Sequence, residues 1–182
     1  MAKGMDAIAV KYPLKKVDSI PALPETLNPR VGLAVAAGDL QPLIIVIAAD
    51  SKRRDTLEAT VSKLAWDKKF AGWFTYATAA ELKEIPKLVG GTIKDGVLIV
   101  EPDIFGAGGK VVKEVAGSDL TKELADAMDQ SLKAHVQPKK TRRELSILGL
   151  ESGIFYETGI PVSGKGEAAD RERYKLQLEK KK

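Results

Sequence analysis

The chain has no cysteine and a single histidine, His135, in 182 residues. Without cysteine there is no disulfide, no thiolate metal site and no thiol nucleophile. One histidine leaves too few imidazoles for the usual protein-only zinc site. Long hydrophobic runs are missing as well. The longest, Leu43 to Ala49, falls far short of the roughly 20 apolar residues that cross a bilayer. The N-terminal stretch MAKGMDAIAVKYPLKK lacks the sustained apolar core and small-residue cleavage site of a secretory signal. A cytoplasmic protein that does not insert into membranes is the expectation.

What remains is the composition of a globular protein, 44% apolar and 30% charged, which is neither disordered nor fibrous. The length suits one domain with extensions. The net charge of +4 is unevenly placed. Met1 to Val136 carries 18 Lys+Arg against 18 Asp+Glu, and Gln137 to Lys182 carries 11 against 7. The basic excess, which suits an anionic partner, therefore lies in the last quarter of the chain.

Residues 1–29 contain Pro13, Pro21, Pro24 and Pro29. Proline fixes φ and lacks a donor, so this stretch is expected to be an extended arm. A short helix over Arg30 to Ala37 should end near Gly38. Pro42-Leu-Ile-Ile-Val-Ile-Ala-Ala is a continuous β-branched run. It reads as a central parallel strand covered on both faces. Asp50 or Ser51 can cap the next helix, whose Leu57, Val61, Leu64 and Ala65 share one face of a 3.6-residue period. The aromatic stretch Phe70 to Ala77 suits a second strand. A short helix over Ala79 to Ile85 should stop at Pro86. Val97 to Glu101 and Lys110 to Ala116 are strands joined by a glycine-rich turn, which makes them antiparallel neighbours. Ser118 can cap a last helix over Asp119 to Val136, with Leu120, Leu124, Ala127, Met128 and Leu132 as its buried stripe.

The resulting order is helix, β, α, β, α, β, β, α. Gly32-Leu-Ala-Val-Ala-Ala-Gly-Asp-Leu-Gln-Pro42-Leu-Ile-Ile-Val resembles the first helix and central strand of the thioredoxin-like superfamily. Val97 to Gly117 is similar to that superfamily's terminal hairpin, and Asp119 to Val136 to its closing helix. The resemblance covers roughly residues 30–136. It implies an α/β fold with a central mixed four-stranded sheet flanked by helices. Redox members open the helix after the central strand with a Cys-x-x-Cys pair, whose thiolate the helix N-terminus stabilises. Here that stretch is Asp50-Ser-Lys-Arg-Arg-Asp55, and Asp95-Gly96 stands where the family places a cis-proline. Oxidoreductase and isomerase activities are therefore excluded. A glutathione-binding transferase normally adds an all-helical domain, for which the 46 residues after Val136 are too few. The chain is expected not to be an enzyme and to need no cofactor.

Lys52, Arg53 and Arg54 oppose the dipole of the helix they open, a cost of a few tenths of a kcal/mol each. They form either an anion site or a solvated cluster balanced by Asp50 and Asp55, and the sequence favours the cluster because exposed pairs contribute little. Gly106-Ala-Gly-Gly-Lys110 lacks the spacing of a phosphate loop and joins two strands, so it reads as a hairpin turn. Ser51 has no base beside it and reads as a cap. Trp66, Phe70, Trp73, Phe74 and Tyr76 could stack on bases, but their density around one strand favours core, with at most one or two ring faces exposed.

The extension 137–182 is basic at Lys139 to Arg143 and then apolar, with Leu145, Ile147, Leu148, Leu150, Ile154, Phe155, Tyr156, Ile160 and Val162. Gly149, Gly153, Gly159 and Pro161 should break any long helix there. Disordered linkers do not carry so many large apolar groups. Burial at roughly 1.5–3 kcal/mol each exceeds the ordering entropy of a short segment. The surface that covers them belongs either to this domain or to another chain, by strand addition or groove filling. The sequence thus points to a structural or adaptor subunit of a larger complex or homo-oligomer. Its alternative is a nucleic-acid-associated protein gripping phosphates with Lys139 to Arg143 and Lys180 to Lys182.

Overall fold

Strand β1 (Leu43–Ala48) is buried at every position, and the reason is a layer on each of its faces. The computed structural model describes residues 20–85, 87–116, 120–136, 139 and 141–153. Ile44, Val46 and Ala48 point to one side, onto helices α2 (Ser51–Ala65) and α3 (Leu120–Ala134). Leu43, Ile45 and Ile47 point to the other, onto α1 (Pro29–Asp39). The strand period of two, applied to a run with no polar interruption, yields two apolar cores sharing one sheet.

The sheet holds five strands in the order β2-β1-β4-β5-β3. Strand β2 (Thr75–Ala79) runs parallel to β1, while β4 (Asp95–Pro102) and β5 (Gly109–Val115) form an antiparallel hairpin against β1's other edge. The central strand is therefore parallel on one side only. The expected four strands gain a fifth, β3 (Leu88–Val89), whose two residues pair in parallel with Gly109 and Lys110. The pairing shifts register between Ile99 and Val100, a bulge that bends the hairpin.

Asn28 caps α1, its Oδ1 accepting from Val31 N at 2.9 Å, with Pro29 at the first helical position where its missing N–H loses nothing. The helix ends at Asp39, beside the expected Gly38, and its cap Leu40 has a left-handed φ of +56°. Asp50 caps α2 by accepting from Arg53 N at 2.8 Å. Strand β2 starts at Thr75 and not at Phe70, because Gly72 (φ +80°) turns the chain there. Phe70 N and Ala71 N both donate to Asp67 O. The expected helix over 79–85 is a single 3-10 turn, Leu82–Glu84, held by Glu84 Oε1 accepting from Ala80 N and Glu81 N. Ser118, the expected cap of α3, lies outside the described residues.

The hairpin turn is built on Asp103, whose Oδ1 accepts from Phe105 N and Ala107 N. It presses onto α1: a Cβ at Gly106 (φ +66°) would stand 2.6 Å from Ala34 Cα, so only glycine fits. On the opposite sheet edge the last residues of the N-terminal arm lie along β2. Glu25 bridges Tyr76, Thr26 N donates to Tyr76 O, Ser62 Oγ donates to Pro21 O and Trp66 Nε1 donates to Ala22 O. That covers a strand edge which would otherwise be open to another chain.

Candidate docking groove

The positions singled out at the start of α2 are largely engaged within the chain. Arg53 Nε lies 2.9 Å from Asp95 Oδ1, tying the first turn of α2 to the first residue of β4. Arg54 Nη1 donates to Ala48 O at 2.9 Å and its Nε stands 3.9 Å from Glu58. Lys52 is exposed. Ser51 sits at the start of α2 with Asp50 doing the capping. The two stretches that the resemblance sets beside each other, Asp50–Asp55 and Asp95-Gly96, do meet, through an ion pair.

In the C-terminal extension, helix α4 (Arg142–Glu151) carries four of the expected docking residues. Leu145 is 4% exposed and Ile147 is 46% exposed, and Leu148 and Leu150 are half-buried. The helix passes through Gly149 and ends before Gly153 (φ +71°). It starts on a reciprocal cap, in which Thr141 Oγ1 accepts from Glu144 N and Glu144 Oε2 accepts from Thr141 N. The Thr-x-x-Glu spacing is the readable signal for such a start. Ile154, Phe155, Tyr156, Ile160 and Val162 lie outside the described residues.

The larger concavity lies at the other end of β1, about 17–20 Å away for a strand of this length. There the α1–β1 junction, the Lys69–Trp73 turn and the last turns of α3 enclose a groove of about 830 Å³. A second cleft of about 330 Å³ shares Leu40, Gln41 and His135 with it and extends toward Pro102, Ile104 and Val136. His135 is the partition. Its side chain is 11% exposed, with Nδ1 2.8 Å from Glu101 Oε1 and Nε2 2.9 Å from the Leu40 carbonyl. Both ring nitrogens face acceptors. A neutral imidazole donates to one of them and a protonated one to both.

Trp73 forms one wall of the larger groove and is 56% exposed. Phe70, Phe74 and Tyr76 are buried as expected, so of the five rings only Trp66 and Trp73 present themselves to solvent. Gln41 fixes the floor, Nε2 donating to Gly72 O and Oε1 accepting from Thr75 Oγ1. On the α3 rim, Lys69 and Lys133 share one carboxylate, Asp129, at 2.7 and 2.5 Å. Those hydrogen bonds, that of Lys133 foremost, hold the Asp129 carboxyl below its ordinary pKa, and the two lysines and two aspartates that line the groove balance in number. Asp39, on the opposite rim, has an interaction of its own. Leu40 and His135 are not site candidates from the sequence, and Trp73 enters there only as one of five rings weighed between base stacking and core, since neither a left-handed leucine nor the meeting of two helix ends is written in local pattern.

Among the described residues no helix is long and apolar enough to cross a membrane. No protein-family model matches the chain, and no curated protein or solved structure matches it either.

Proposed function

We propose that the chain is a non-catalytic docking subunit of a larger protein assembly, a thioredoxin-like domain without redox chemistry. The fold part of this reading draws on the sheet order β2-β1-β4-β5, with β1 parallel to β2 and antiparallel to β4. Helices on both faces agree with it. The redox part draws on the sequence, in which Arg53 and Asp95 stand where a dithiol and its cis-proline would be, and no cysteine exists.

One observation carries the docking part. Large apolar side chains stand exposed together around one end of the sheet: Trp73, Ile104 and Val136 line or rim the two adjoining clefts. Grouped apolar exposure beside a concavity is a feature of interaction sites, whereas scattered single residues are not. The apolar extension supplies a second contact element.

Deleting residues 139–182 should leave a domain that still unfolds cooperatively but no longer assembles. Native mass spectrometry and light scattering on protein purified from its source read the outcome directly. A truncated chain that still co-purifies with all its partners after a high-salt wash would overturn the reading. Release of the full chain by salt alone would favour nucleic acid, whose grip on basic residues falls steeply with ionic strength.

A further inference from the structure

We propose that the outer edge of β2 is a strand-addition seat for an extended segment of a partner protein, and that the chain's own arm, Ile20–Thr26, is a strap which that segment displaces. The seat is formed by Ser62, Trp66, Tyr76 and Thr78, none of which lines the groove. It goes beyond the docking reading above, which rests on the groove and on the extension after Val136.

The seat holds its occupant mainly by the backbone. Ser62 Oγ donates to the Pro21 carbonyl at 2.6 Å, and Trp66 Nε1 donates to the next carbonyl, that of Ala22, at 3.1 Å. Residues four apart on a helix share a face, so this pair of donors meets two consecutive carbonyls of an extended chain. Prolines are tolerated there because the seat takes carbonyls and not N–H groups. Thr26 N then donates to Tyr76 O at 2.8 Å, and Thr26 Oγ1 donates to the same oxygen. Two further side chains select. Leu23 packs against the core under α2, and Glu25 accepts from Thr78 Oγ1 at 2.8 Å. An occupant therefore needs an extended backbone, an aliphatic side chain and, two residues on, a side-chain acceptor. Strand addition divides the work in this way, with main-chain bonds giving affinity and alternate side chains giving specificity.

The strap is built to leave. Of the seven residues Ile20–Thr26, five are exposed, and only Leu23 and Thr26 are half-buried. Segments with little buried apolar surface and solvent-exposed hydrogen bonds open locally, well before the whole domain unfolds. The strap also leaves most of the edge unused. Strand β2 has five residues and stands at the end of the sheet, yet among the described residues the arm bridges it only at Tyr76. A partner strand running along Thr75–Ala79 gains ladder hydrogen bonds that the arm does not make. That gain is what lets it displace a tethered competitor.

The arm's own sequence supplies the probe. A fluorescein-labelled peptide with the sequence of residues 20–27 is titrated with two full chains, the parent and one carrying Leu23→Ala with Glu25→Ala. Apparent affinity scales with the fraction of chains whose seat is open, so the loosened chain should bind the peptide at least about tenfold more tightly than the parent. A peptide carrying the same two changes should bind the loosened chain at least about tenfold more weakly than the unchanged peptide, if side chains select. Equal affinity of the two chains, equal binding of the two peptides, or no saturable binding to the loosened chain overturns the proposal. Hydrogen exchange on the parent chain tests the strap without any substitution. The Thr26 amide should exchange at least about a hundredfold faster than that of Ile45 in β1, and comparable protection overturns the proposal as well. Neither measurement touches residues 139–182, so the seat and the docking reading fail separately.

Discussion

The imidazole of His135 joins the end of α3 to the end of α1, with Nε2 2.9 Å from the carbonyl oxygen of Leu40 while Nδ1 meets Glu101. Leu40 is held in a left-handed conformation, which disfavours residues with a Cβ. The contact therefore fixes a strained chain reversal at the wall between the two clefts. Removing the ring leaves the Leu40 carbonyl and the Glu101 carboxylate without this partner. His135→Ala should cost about 1–3 kcal/mol, read as a lower urea midpoint with an unchanged slope. A loss well under 1 kcal/mol would show that the contact is incidental.

Tyr76 is 2% exposed, and its hydroxyl has no hydrogen-bond partner among the described residues. Burial pushes its pKa far above the ordinary tyrosine value. A phenol whose pKa is raised by folding stays protonated in the native state while the unfolded chain ionises. The native state then binds more protons, and stability falls as pH rises above about 10. Tyr76→Phe removes an unpaired polar atom and should be neutral or up to about 1 kcal/mol stabilising at pH 7. Its advantage over the parent chain should widen above about pH 10. Thermal unfolding of both chains at pH 7 and pH 11 checks this, and a margin that narrows with pH contradicts it.

Arg53 and Asp95 form the tie between α2 and β4, yet their side chains are 42% and 50% exposed. Solvent screens such a pair. A double-mutant cycle with Arg53→Ala and Asp95→Ala should give a coupling below about 1 kcal/mol, weakening as salt is raised. A salt-insensitive coupling of several kcal/mol would mean that this end of the sheet holds a buried charge network.

The elements themselves were largely legible because each depends on local chemistry. An unbroken β-branched run requires cover on both faces, and β1 has it. Asp50 before a 3.6-residue apolar period marks the start of α2, and a glycine-rich stretch between two apolar runs marks the β4–β5 hairpin. Errors arose where local signals competed. Phe70 to Phe74 is aromatic enough for a strand, but Gly72 with a positive φ turns it and leaves Trp73 outside. The end of α1 falls at Asp39, beside the expected Gly38, while the left-handed position falls on the cap Leu40.

Sequence by itself determined that no thiol chemistry is possible, where the apolar layers lie, and that the basic excess follows Val136. Those are properties of composition and of short-range periodicity. Only the tertiary structure decided which distant residues meet. It set Arg53 against Asp95, 42 positions away, and His135 against Leu40, 95 positions away. It also gathered Gln41, Trp73 and Leu132 around one groove. Such meetings depend on the order and register of strands and on how helices settle against them. Pairing and close packing set those across the whole chain, and no local stretch encodes them.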